Sequence, residues 1–326
     1  MVQFYHKRKI TLITDSDMVD CKDYKVIENS HDRDNFDVSI IVVNWNAGKY
    51  LQETIESVVS KTKDISYELI IVDNNSNKED ESYTYIENLL STWNNFVFVK
   101  SFVNLGFARA NNIGMKIAKG RNLLILNPDV VFHNNVIGCL SNYLDANNEV
   151  GMVGPKVLNP DGSFQQPCLR GKPYPKDTLF HIVGLAKAFP NNAYFNGYAM
   201  WNADRDVINE CWALSGCCMM VKKSLFEQIG GMDEQFFMYQ EETDWGIRTK
   251  NVGKKVVYNP NAVVTHYQGV TTKKNQAKSV LIFTQSMMKF FKKHFWNDYN
   301  IFQKSFWVVL IWGNFFLKYI KLGLKK

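Results

Sequence analysis

The segment VSIIVVN at residues 38–44 is the first of four short apolar runs that decide the fold of this chain. The other three are ELIIVD at residues 68–73, FVFVK at 96–100 and NLLILN at 122–127. Their length and their content of valine and isoleucine are typical of strands buried on both faces, as in parallel sheets. The sequence therefore predicts parallel strands at the centre of the domain.

Helical patterns separate these runs. Leu51, Ile55 and Val58 recur at helical intervals after the first run, and residues 108–119 form a second helical segment. The alternation of strand and helix predicts an α/β fold with a doubly wound, mostly parallel sheet. In such sheets ligands bind beyond the carboxyl ends of the strands. The residues at those ends are 44–46, 73–76 and 127–129.

The second half of the chain is less regular. Residues 151–209 contain six prolines, which predict loops and hairpins. Helices are expected at residues 224–229 and 242–251. A pair of strands is expected after them, at 256–258 and 263–265.

Charge and composition divide the chain into three parts. Residues 1–36 form a polar extension without an assigned role, and residues 37–269 form the α/β domain. Residues 270–326 form a tail with eleven lysines and one acid, Asp298, a net charge of +10. Because the whole chain has a net charge of only +6, the rest of the chain is acidic on balance. A basic, aromatic tail on such a domain indicates an element that anchors to a surface.

The tail contains an apolar run of 12 residues, FWVVLIWGNFFL, at 306–317. Since a membrane-spanning helix needs about 20 residues, the run predicts an amphipathic helix in the membrane interface, with its lysines on anionic lipid. The alternatives are a helix packed on the domain and a contact between copies of the chain in a homo-oligomer. Nucleic acid is not expected as a partner, because no base-stacking module surrounds the tail.

Cysteine usage and the first residues indicate the compartment. The six cysteines include no C-x-x-C pair and no metal-ligand spacing, which argues against a disulfide framework or a zinc ribbon. The first residues carry acids and lack the apolar segment of a secretory signal. We therefore expect the folded domain on the cytoplasmic side of the membrane.

Acidic residues follow two of the predicted strands. Asp73 ends the second strand, where its carboxylate can accept hydrogen bonds from a pyrimidine or a ribose, or can cap the next helix. Asp129 comes after Asn127 and Pro128 at the end of the fourth strand. One hard oxygen ligand suits Mg²⁺ or Mn²⁺ already bound to a diphosphate, and the alternative is an ordinary Pro-Asp turn.

Three acids, Glu241, Glu242 and Asp244, lie at the start of a predicted helix. Acids in a first turn commonly stabilise the helix dipole. Here aromatic and apolar neighbours flank them, and burial raises the pKa of a carboxyl group towards the range of a general base. His266 ends a short apolar strand and is a candidate metal ligand or base, against the alternative of a structural histidine.

Glycine-rich phosphate loops are absent from the sequence. There is no G-x-x-x-x-G-K-[ST] motif, and no G-x-G-x-x-G motif follows the first strand, which argues against a kinase and a dinucleotide dehydrogenase. Gly106, Gly114 and Gly120 flank a predicted helix whose N-terminal amides can face a diphosphate.

The order of these motifs resembles that of the inverting glycosyltransferases of family 2, which have a GT-A fold. The resemblance covers about residues 37–269, and the sequence is most similar to the rhamnosyltransferase-like enzymes of bacterial surface polysaccharide synthesis. The matching segments are VSIIVVNWN at 38–46, IVDNNS at 71–76, NLGFA at 104–108, LNPD at 126–129, SG at 215–216, GGMDE at 230–234, FMYQEETD at 237–244 and VVTH at 263–266.

The resemblance implies a donor site. Asp73 would bind the pyrimidine base, and Asp129 and His266 would hold Mg²⁺ or Mn²⁺ on the diphosphate. Asn127 stands at the first position of the family's D-x-D motif, so fewer carboxylates would hold the metal. The other residues expected at the donor are Asn44, Asn46, Asn75, Asn104, Gly106, Arg109 and Asn112.

The resemblance also implies a base and an acceptor site. The family's base position falls on Glu242, with Asp244 ranked second and Glu241 third. Ser215 and Gly216 are expected to contact the acceptor. In the implied inverting reaction, the base takes a proton from an acceptor hydroxyl, which attacks the anomeric carbon opposite the leaving nucleoside diphosphate.

The sequence thus predicts a peripheral glycosyltransferase at the cytoplasmic face of the plasma membrane. The expected reaction moves L-rhamnose from dTDP-rhamnose to a lipid-linked saccharide of a surface polysaccharide. Galactofuranose, galactose and N-acetylhexosamine are alternative sugars. A sugar-phosphate nucleotidylyltransferase is another enzyme class, which the absence of a Gly-rich basic loop at residues 44–49 disfavours. A non-catalytic, membrane-bound binding scaffold is the alternative that is not an enzyme.

Overall fold

The computed structural model describes residues 10–12, 23–29, 35–268 and 276–323. Most of the N-terminal extension (1–36), and with it Cys21, therefore lies outside the described residues. The strands are β1 (Ile10–Leu12), β2 (Tyr24–Asn29), β3 (Phe36–Asn44), β4 (Tyr67–Asp73), β5 (Phe96–Ser101), β6 (Gly120–Leu126), β7 (Val130–Phe132), β8 (Val150–Leu158), β9 (Asn209–Cys211), β10 (Cys218–Lys222) and β11 (Lys255–His266). The helices are α1 (Lys49–Lys61), α2 (Glu81–Thr92), α3 (Gly106–Ile117), α4 (Val136–Ala146), α5 (Pro175–Ile182), α6 (Leu185–Ala188), α7 (Lys223–Ile229), α8 (Glu241–Asn251), α9 (Gln276–His294) and α10 (Ile301–Gly323).

Parallel strands form the centre of the sheet, in the order β5-β4-β3-β6. They coincide with the predicted apolar runs and confirm the doubly wound α/β fold. Leu51, Ile55 and Val58 of α1 lie in the hydrophobic core, as their spacing predicts. Helix α2 is not marked by a comparable pattern in the sequence, although a crossover between the parallel strands β4 and β5 requires a connection of this kind.

Further strands extend the sheet on both sides, and each side joins the central strands through an antiparallel pair. β2 pairs with β5 at one side and β10 pairs with β6 at the other, followed by β8, β11 and β7. Cys218 at the start of β10 faces Leu126 at the end of β6. The loops of the second half therefore meet the carboxyl ends of the central strands, where a site is expected.

Two expectations for the second half were wrong. Val150–Leu158 is a strand inside the sheet, although the prolines after residue 151 predict loops. Lys255–His266 is one long strand and not a strand pair. Its register on β8 shifts between Asn259 and Val263. Pro260 lies in this stretch and cannot donate to the ladder, so an irregularity in register keeps the strand continuous.

The C-terminal helices α9 and α10 form an antiparallel hairpin. The rings of Trp307 and Phe291 lie 6.3 Å apart, and the Lys318 ammonium lies 5.1 Å from the ring centroid of Phe283. By length and composition, Ile301–Leu322 is the one helix among the described residues that could cross a membrane. The apolar run of 12 residues therefore predicted too short a helix. The observed helix continues beyond the run at both ends and has 23 residues.

Candidate active site

A cleft of about 840 Å³ opens at the carboxyl edge of the central strands and is bounded by α5, α8 and α9. It brings together residues that the sequence places far apart. The predicted site residues that line it are Asn104, Gly106, Asn127, Asp129, Ser215, Gly216, Glu241, Glu242 and His266.

Asp129 and His266 meet inside this cleft. Asp129 lies in the turn between β6 and β7, and its Oδ1 is 3.2 Å from Nε2 of His266, the last residue of β11. Gln165 Oε1 lies 2.8 Å from Nδ1 of His266, while the amide nitrogen of Gln165 donates elsewhere. The Gln165 oxygen therefore accepts a hydrogen bond from Nδ1–H and directs Nε2 towards Asp129, the orientation of a metal-ligating histidine.

The imidazole of His266 lies in an environment that favours positive charge. Burial lowers the pKa of His266, but the neighbouring Cys217 and Asp129 raise it to about 10. A divalent ion bound here would take the place of the proton on Nε2, because only a neutral imidazole coordinates a metal. One carboxylate oxygen and one imidazole nitrogen fit Mg²⁺ or Mn²⁺ whose other ligands are phosphate and water oxygens. No group of three or more metal-ligating side chains occurs in the described ranges, so the protein would supply few ligands.

Glu242 projects into the cleft from the first turn of α8. Its Oε1 accepts a hydrogen bond from Nη2 of Arg170 at 2.9 Å. Its Oε2 is buried and has no hydrogen-bond partner among the residues that the structure describes. One carboxylate oxygen is thus held by a cation, while the other is available to receive a proton.

Arg170 is itself held in place. Its guanidinium donates to the carbonyl oxygen of Leu214 and, at 3.3 Å, to the hydroxyl of Thr243. Burial lowers the pKa of Arg170, but Tyr198 and Glu242 raise it above its ordinary range, so the side chain remains a cation. The sequence analysis missed this residue because a lone arginine in the 151–209 segment carries no motif.

Glu241 also lines the cleft but is only 4% exposed. Burial and then repulsion by Glu242 raise the pKa of Glu241 well above its ordinary range. The protonated form is therefore favoured, and a protonated carboxyl group cannot accept the proton of an attacking hydroxyl. Of these two neighbours, Glu242 has the geometry of a base.

Asp244 does not line the cleft, contrary to its ranking as second candidate for the base. It is fully buried and accepts hydrogen bonds from Arg248 at 2.8 Å, Lys293 at 2.6 Å and His294 at 2.8 Å. Burial raises the pKa of Asp244, but these partners, His294 first, lower it to about 2. The carboxylate of Asp244 therefore holds α8 against α9 through these contacts.

Asp73 is buried at the end of β4, outside the cleft lining. Its Oδ1 accepts from the amide of Asn44 at 2.9 Å, and its Oδ2 accepts from the backbone of Ser76 at 3.1 Å. Asp73 is 1% exposed and does not line the cleft, and neither does Asn44. In this arrangement the carboxylate organises the loop after β4, and a contact of Asp73 with a nucleotide base stays a prediction.

Asn46 and Asn75 lie in or beside the same loop, outside the cleft lining. The side-chain oxygen of Asn46 accepts from the backbone of Asn77 at 2.7 Å. Asn75 is exposed and adopts a left-handed φ of 65°, which asparagine tolerates better than most residues. Their roles at the donor also stay predictions.

Asn74, which the sequence analysis did not select, forms part of the cleft wall. Its side-chain amide donates to Asn104 at 3.1 Å and to the backbone oxygen of Gly106 at 3.2 Å. Phe107 donates its backbone N–H to the carbonyl oxygen of Phe237 at 2.7 Å. The loop after β4, the start of α3 and the segment before α8 are therefore linked.

Arg109 and Asn112, both expected at the donor, lie outside the cleft. Arg109 pairs with Asp23 at 2.9 Å. Asn112 exchanges two hydrogen bonds with the backbone of Met232, at 2.8 and 2.9 Å, and donates to Glu234 at 2.9 Å. Residues three positions apart share one face of a helix. Arg109 and Asn112 therefore lie on the same face of α3, which is turned away from the cleft.

Known proteins match this chain over its central part. Residues 39–230 match the family model described as Glycosyl transferase family 2. A low-salt glycan biosynthesis hexosyltransferase of Haloferax volcanii is 28% identical over 82% of this chain and 78% of its own length. An N-acetylglucosaminyl-diphospho-decaprenol L-rhamnosyltransferase of Mycobacterium tuberculosis is 33% identical over 48% of this chain, a match that spans 50% of that enzyme.

Solved structures share the fold. The crystal structure of GalNAc-T7 with UDP, GalNAc and Mn²⁺ matches 71% of this chain and 44% of its own, with a TM-score of 0.53 and 19% identity. The mannosyltransferase PcManGT of Pyrobaculum calidifontis, in complex with GDP-Man and Mn²⁺, matches 79% of this chain and 64% of its own, with a TM-score of 0.53 and 15% identity. At these identities the similarity supports the fold alone.

Proposed function

Because this chain belongs to glycosyl transferase family 2, we propose that it is an inverting glycosyltransferase that adds a sugar from a nucleoside diphosphate donor to a lipid-linked saccharide. The observation that carries the proposal is the convergence of two sites in one cleft. The Asp129–His266 pair suits a metal on a diphosphate, and Glu242 offers a free carboxylate oxygen.

Glu242 is the proposed base. Its Oε2 would take the proton from the acceptor hydroxyl, while Arg170 holds Oε1 and fixes the orientation of the carboxylate. The hydroxyl oxygen then forms the bond to the anomeric carbon as the bond to the donor's β-phosphate oxygen breaks, with inversion. A single base suffices, whereas a retaining route through a covalent intermediate needs a nucleophile as well.

Asp129 and His266 are the proposed metal ligands, and a bound Mg²⁺ or Mn²⁺ would stabilise the negative charge of the departing nucleoside diphosphate. Asn104 and Gly106 lie in the cleft at the start of α3, where the helix dipole favours an anion. Ser215 and Gly216 are proposed to contact the acceptor.

L-rhamnose from dTDP-rhamnose is the proposed donor, supported by the name of the mycobacterial relative and by a dTDP-rhamnosyl transferase of Shigella flexneri that is 24% identical over 72% of this chain. The product would be part of a surface polysaccharide. We further propose that the enzyme is peripheral at the cytoplasmic face of the membrane and that its C-terminal helices contact lipid.

The test is a panel of nucleotide sugars. The purified chain is incubated with N-acetylglucosaminyl diphospho-undecaprenol and dTDP-rhamnose, UDP-galactofuranose, UDP-galactose or UDP-N-acetylglucosamine, with Mg²⁺, Mn²⁺ or EDTA. A gain of one sugar mass in the presence of metal supports the proposal, and NMR of the product should show an inverted anomeric centre.

Three results would contradict the proposal. A retained anomeric centre excludes the single-base mechanism. Formation of a nucleotide sugar from a sugar phosphate and a nucleoside triphosphate indicates a nucleotidylyltransferase. If the donors bind but no combination of donor and acceptor reacts, the protein is a binding scaffold.

A further inference from the structure

The outer end of the cleft has one wall made by α5. Thr178, His181 and Ile182 line it from this helix. Ile182 is 42% exposed and the adjoining Val183 is 58% exposed. An apolar surface therefore continues from the cleft lining to the outside of the protein.

The opposite wall is made by the α9–α10 hairpin. Ile282 and Phe283 of α9 line the cleft, and the ammonium of Lys318 on α10 lies 5.1 Å from the Phe283 ring centroid. Burial, then Arg170, then Lys318 lower the pKa of His181, so the charge of Lys318 also reaches across to α5. The C-terminal part of α10 thus lies at the cleft mouth.

One face of α10 is apolar and exposed along the length of the helix. Residues on this face recur at intervals of three, four and seven, which places them on one side of a helix. They are Phe302 (83% exposed), Phe306 (54%), Val309 (69%), Phe316 (59%) and Ile320 (57%), here called the α10 stripe. Because it ends beside the cleft mouth, the stripe and the exposed end of α5 flank the same entrance.

The orientation of α10 follows from its contacts. Trp307 touches Phe291 and Lys318 touches Phe283, so α10 runs alongside α9 between these two points. A helix held at both points runs antiparallel to α9, and α9 itself packs on the domain through the buried Phe290 and Phe291. With its stripe facing outwards, α10 would lie flat in a membrane interface.

The charges at the mouth suit an anion next to an apolar chain. Lys278 lines the cleft from α9, five residues before Phe283, whose ring Lys318 contacts. The carboxylates of the cleft lining, in the part of the chain that the structure describes, are Asp129, Glu241 and Glu242, none of which belongs to α5 or α9. Lysines at a membrane surface favour phosphate groups.

We propose that the lipid-linked acceptor enters between α5 and the α9–α10 hairpin, with its apolar chain on the α10 stripe and Val183 and with its phosphate beside Lys278 and Lys318. The saccharide then extends along the cleft towards Glu242. This inference rests on the proposed function, and the occupant of the stripe is the acceptor's apolar chain in the membrane interface. The acceptor is therefore an amphiphile whose phosphate directly follows its chain.

The test compares two acceptors. One is N-acetylglucosaminyl diphospho-undecaprenol in vesicles of phosphatidylcholine and phosphatidylglycerol, and the other is the same sugar diphosphate on a short phenylalkyl chain in solution. In Val183→Asp and Phe316→Asp, KM for the vesicle-bound acceptor should rise about tenfold, the effect of losing one good apolar contact, while KM for the soluble acceptor changes little.

Val59→Asp is the matched control, because Val59 on α1 is 49% exposed and lies outside the cleft lining. Equal behaviour of all three variants would overturn the proposal. The proposal would also be overturned if the unchanged protein is a dimer and Phe316→Asp dissociates it without any change in KM. The stripe would then bind a second copy of the chain.

The two proposals can fail separately. If the unchanged protein transfers no sugar to the soluble acceptor either, the proposed function fails. Flotation of the same variants with vesicles that contain the undecaprenyl acceptor still tests the entrance. If Val183→Asp and Phe316→Asp float with these vesicles as much as the unchanged protein does, the proposed entrance is wrong.

Discussion

Arg170 donates a hydrogen bond to Glu242 across 2.9 Å, and the two side chains are only 12% and 14% exposed. The pair joins the stretch after β8 that contains Arg170 to the first turn of α8. Because a buried charge is stable only when it is paired, each side chain fixes the position of the other. The oxygen of Glu242 that faces no donor among the described residues is thereby directed into the cleft.

Replacing Glu242→Gln should reduce kcat about a thousandfold, the contribution expected of a general base, while leaving the affinity for the donor nucleotide nearly unchanged. The amide keeps the shape and the hydrogen bond to Arg170 but cannot take a proton. Product mass measured over time gives kcat, and calorimetric titration of the nucleotide gives its affinity. Glu241→Gln is the control, and a larger loss in that variant would move the base to Glu241.

Replacing Arg170→Met should lower kcat about a hundredfold with little change in the KM of the donor, because Glu242 loses its orienting partner. Arg170→Lys restores a charge but not the two-pronged geometry, so its activity should lie in between. Added guanidinium should partly restore Arg170→Met. A loss of activity that follows the loss of thermal stability, without rescue by guanidinium, would assign Arg170 to the core alone.

Replacing Asp244→Asn should destabilise the fold by about 3 kcal/mol, because Lys293 and Arg248 would lose a buried counter-charge. The folded pKa of Asp244 is about 2, below the ordinary value near 3.9, so this carboxylate stabilises the protein above about pH 4. That contribution disappears as the pH falls towards 2. Urea unfolding measured from pH 7 downwards should show a shallower acid loss in the variant, and identical slopes would contradict the assignment.

Replacing Asn127→Asp should strengthen Mn²⁺ binding several-fold, because a carboxylate would replace an amide whose nitrogen lies 3.4 Å from Nε2 of His266. Asp129→Asn should weaken binding to a similar or greater extent. Electron paramagnetic resonance titrations with dTDP present give the affinities. Asn148→Asp, an exposed site outside the cleft, controls for the added charge. Equal affinities in all variants would exclude this metal site.

Replacing Gly106→Ala should cost about 2–4 kcal/mol of stability, because the residue has a φ of 79° and a Cβ would lie 2.5 Å from the carbonyl oxygen of Phe237. Gly162 has a similar φ of 81° but no atom within 4 Å, so Gly162→Ala measures the backbone cost alone, about 1 kcal/mol. The difference between the two free energies of unfolding isolates the contact between α3 and the segment before α8. Equal costs would show that the contact is dispensable.

The local pattern of the chain was sufficient for the central fold. Apolar runs of strand length and the helices between them predicted β3, β4, β5 and β6, and with them the edge where Asp129 and His266 meet. Such runs are informative because a strand buried on both faces must be apolar throughout. The same logic failed for β8, where prolines interrupt the surrounding segment and only pairing with β10 and β11 makes it a strand.

What the sequence determined by itself is which residue types stand at the ends of the strands and at the start of α8. It could not determine which face of α8 turns inwards. Residues two positions apart on a helix are related by a rotation of about 200° and point to nearly opposite sides, so the cleft can receive Glu242 or Asp244 but not both. Only the tertiary structure decided between them: Lys293 and His294, about fifty residues further along the chain, neutralise Asp244 on one side of α8 and leave Glu242 facing Arg170 on the other.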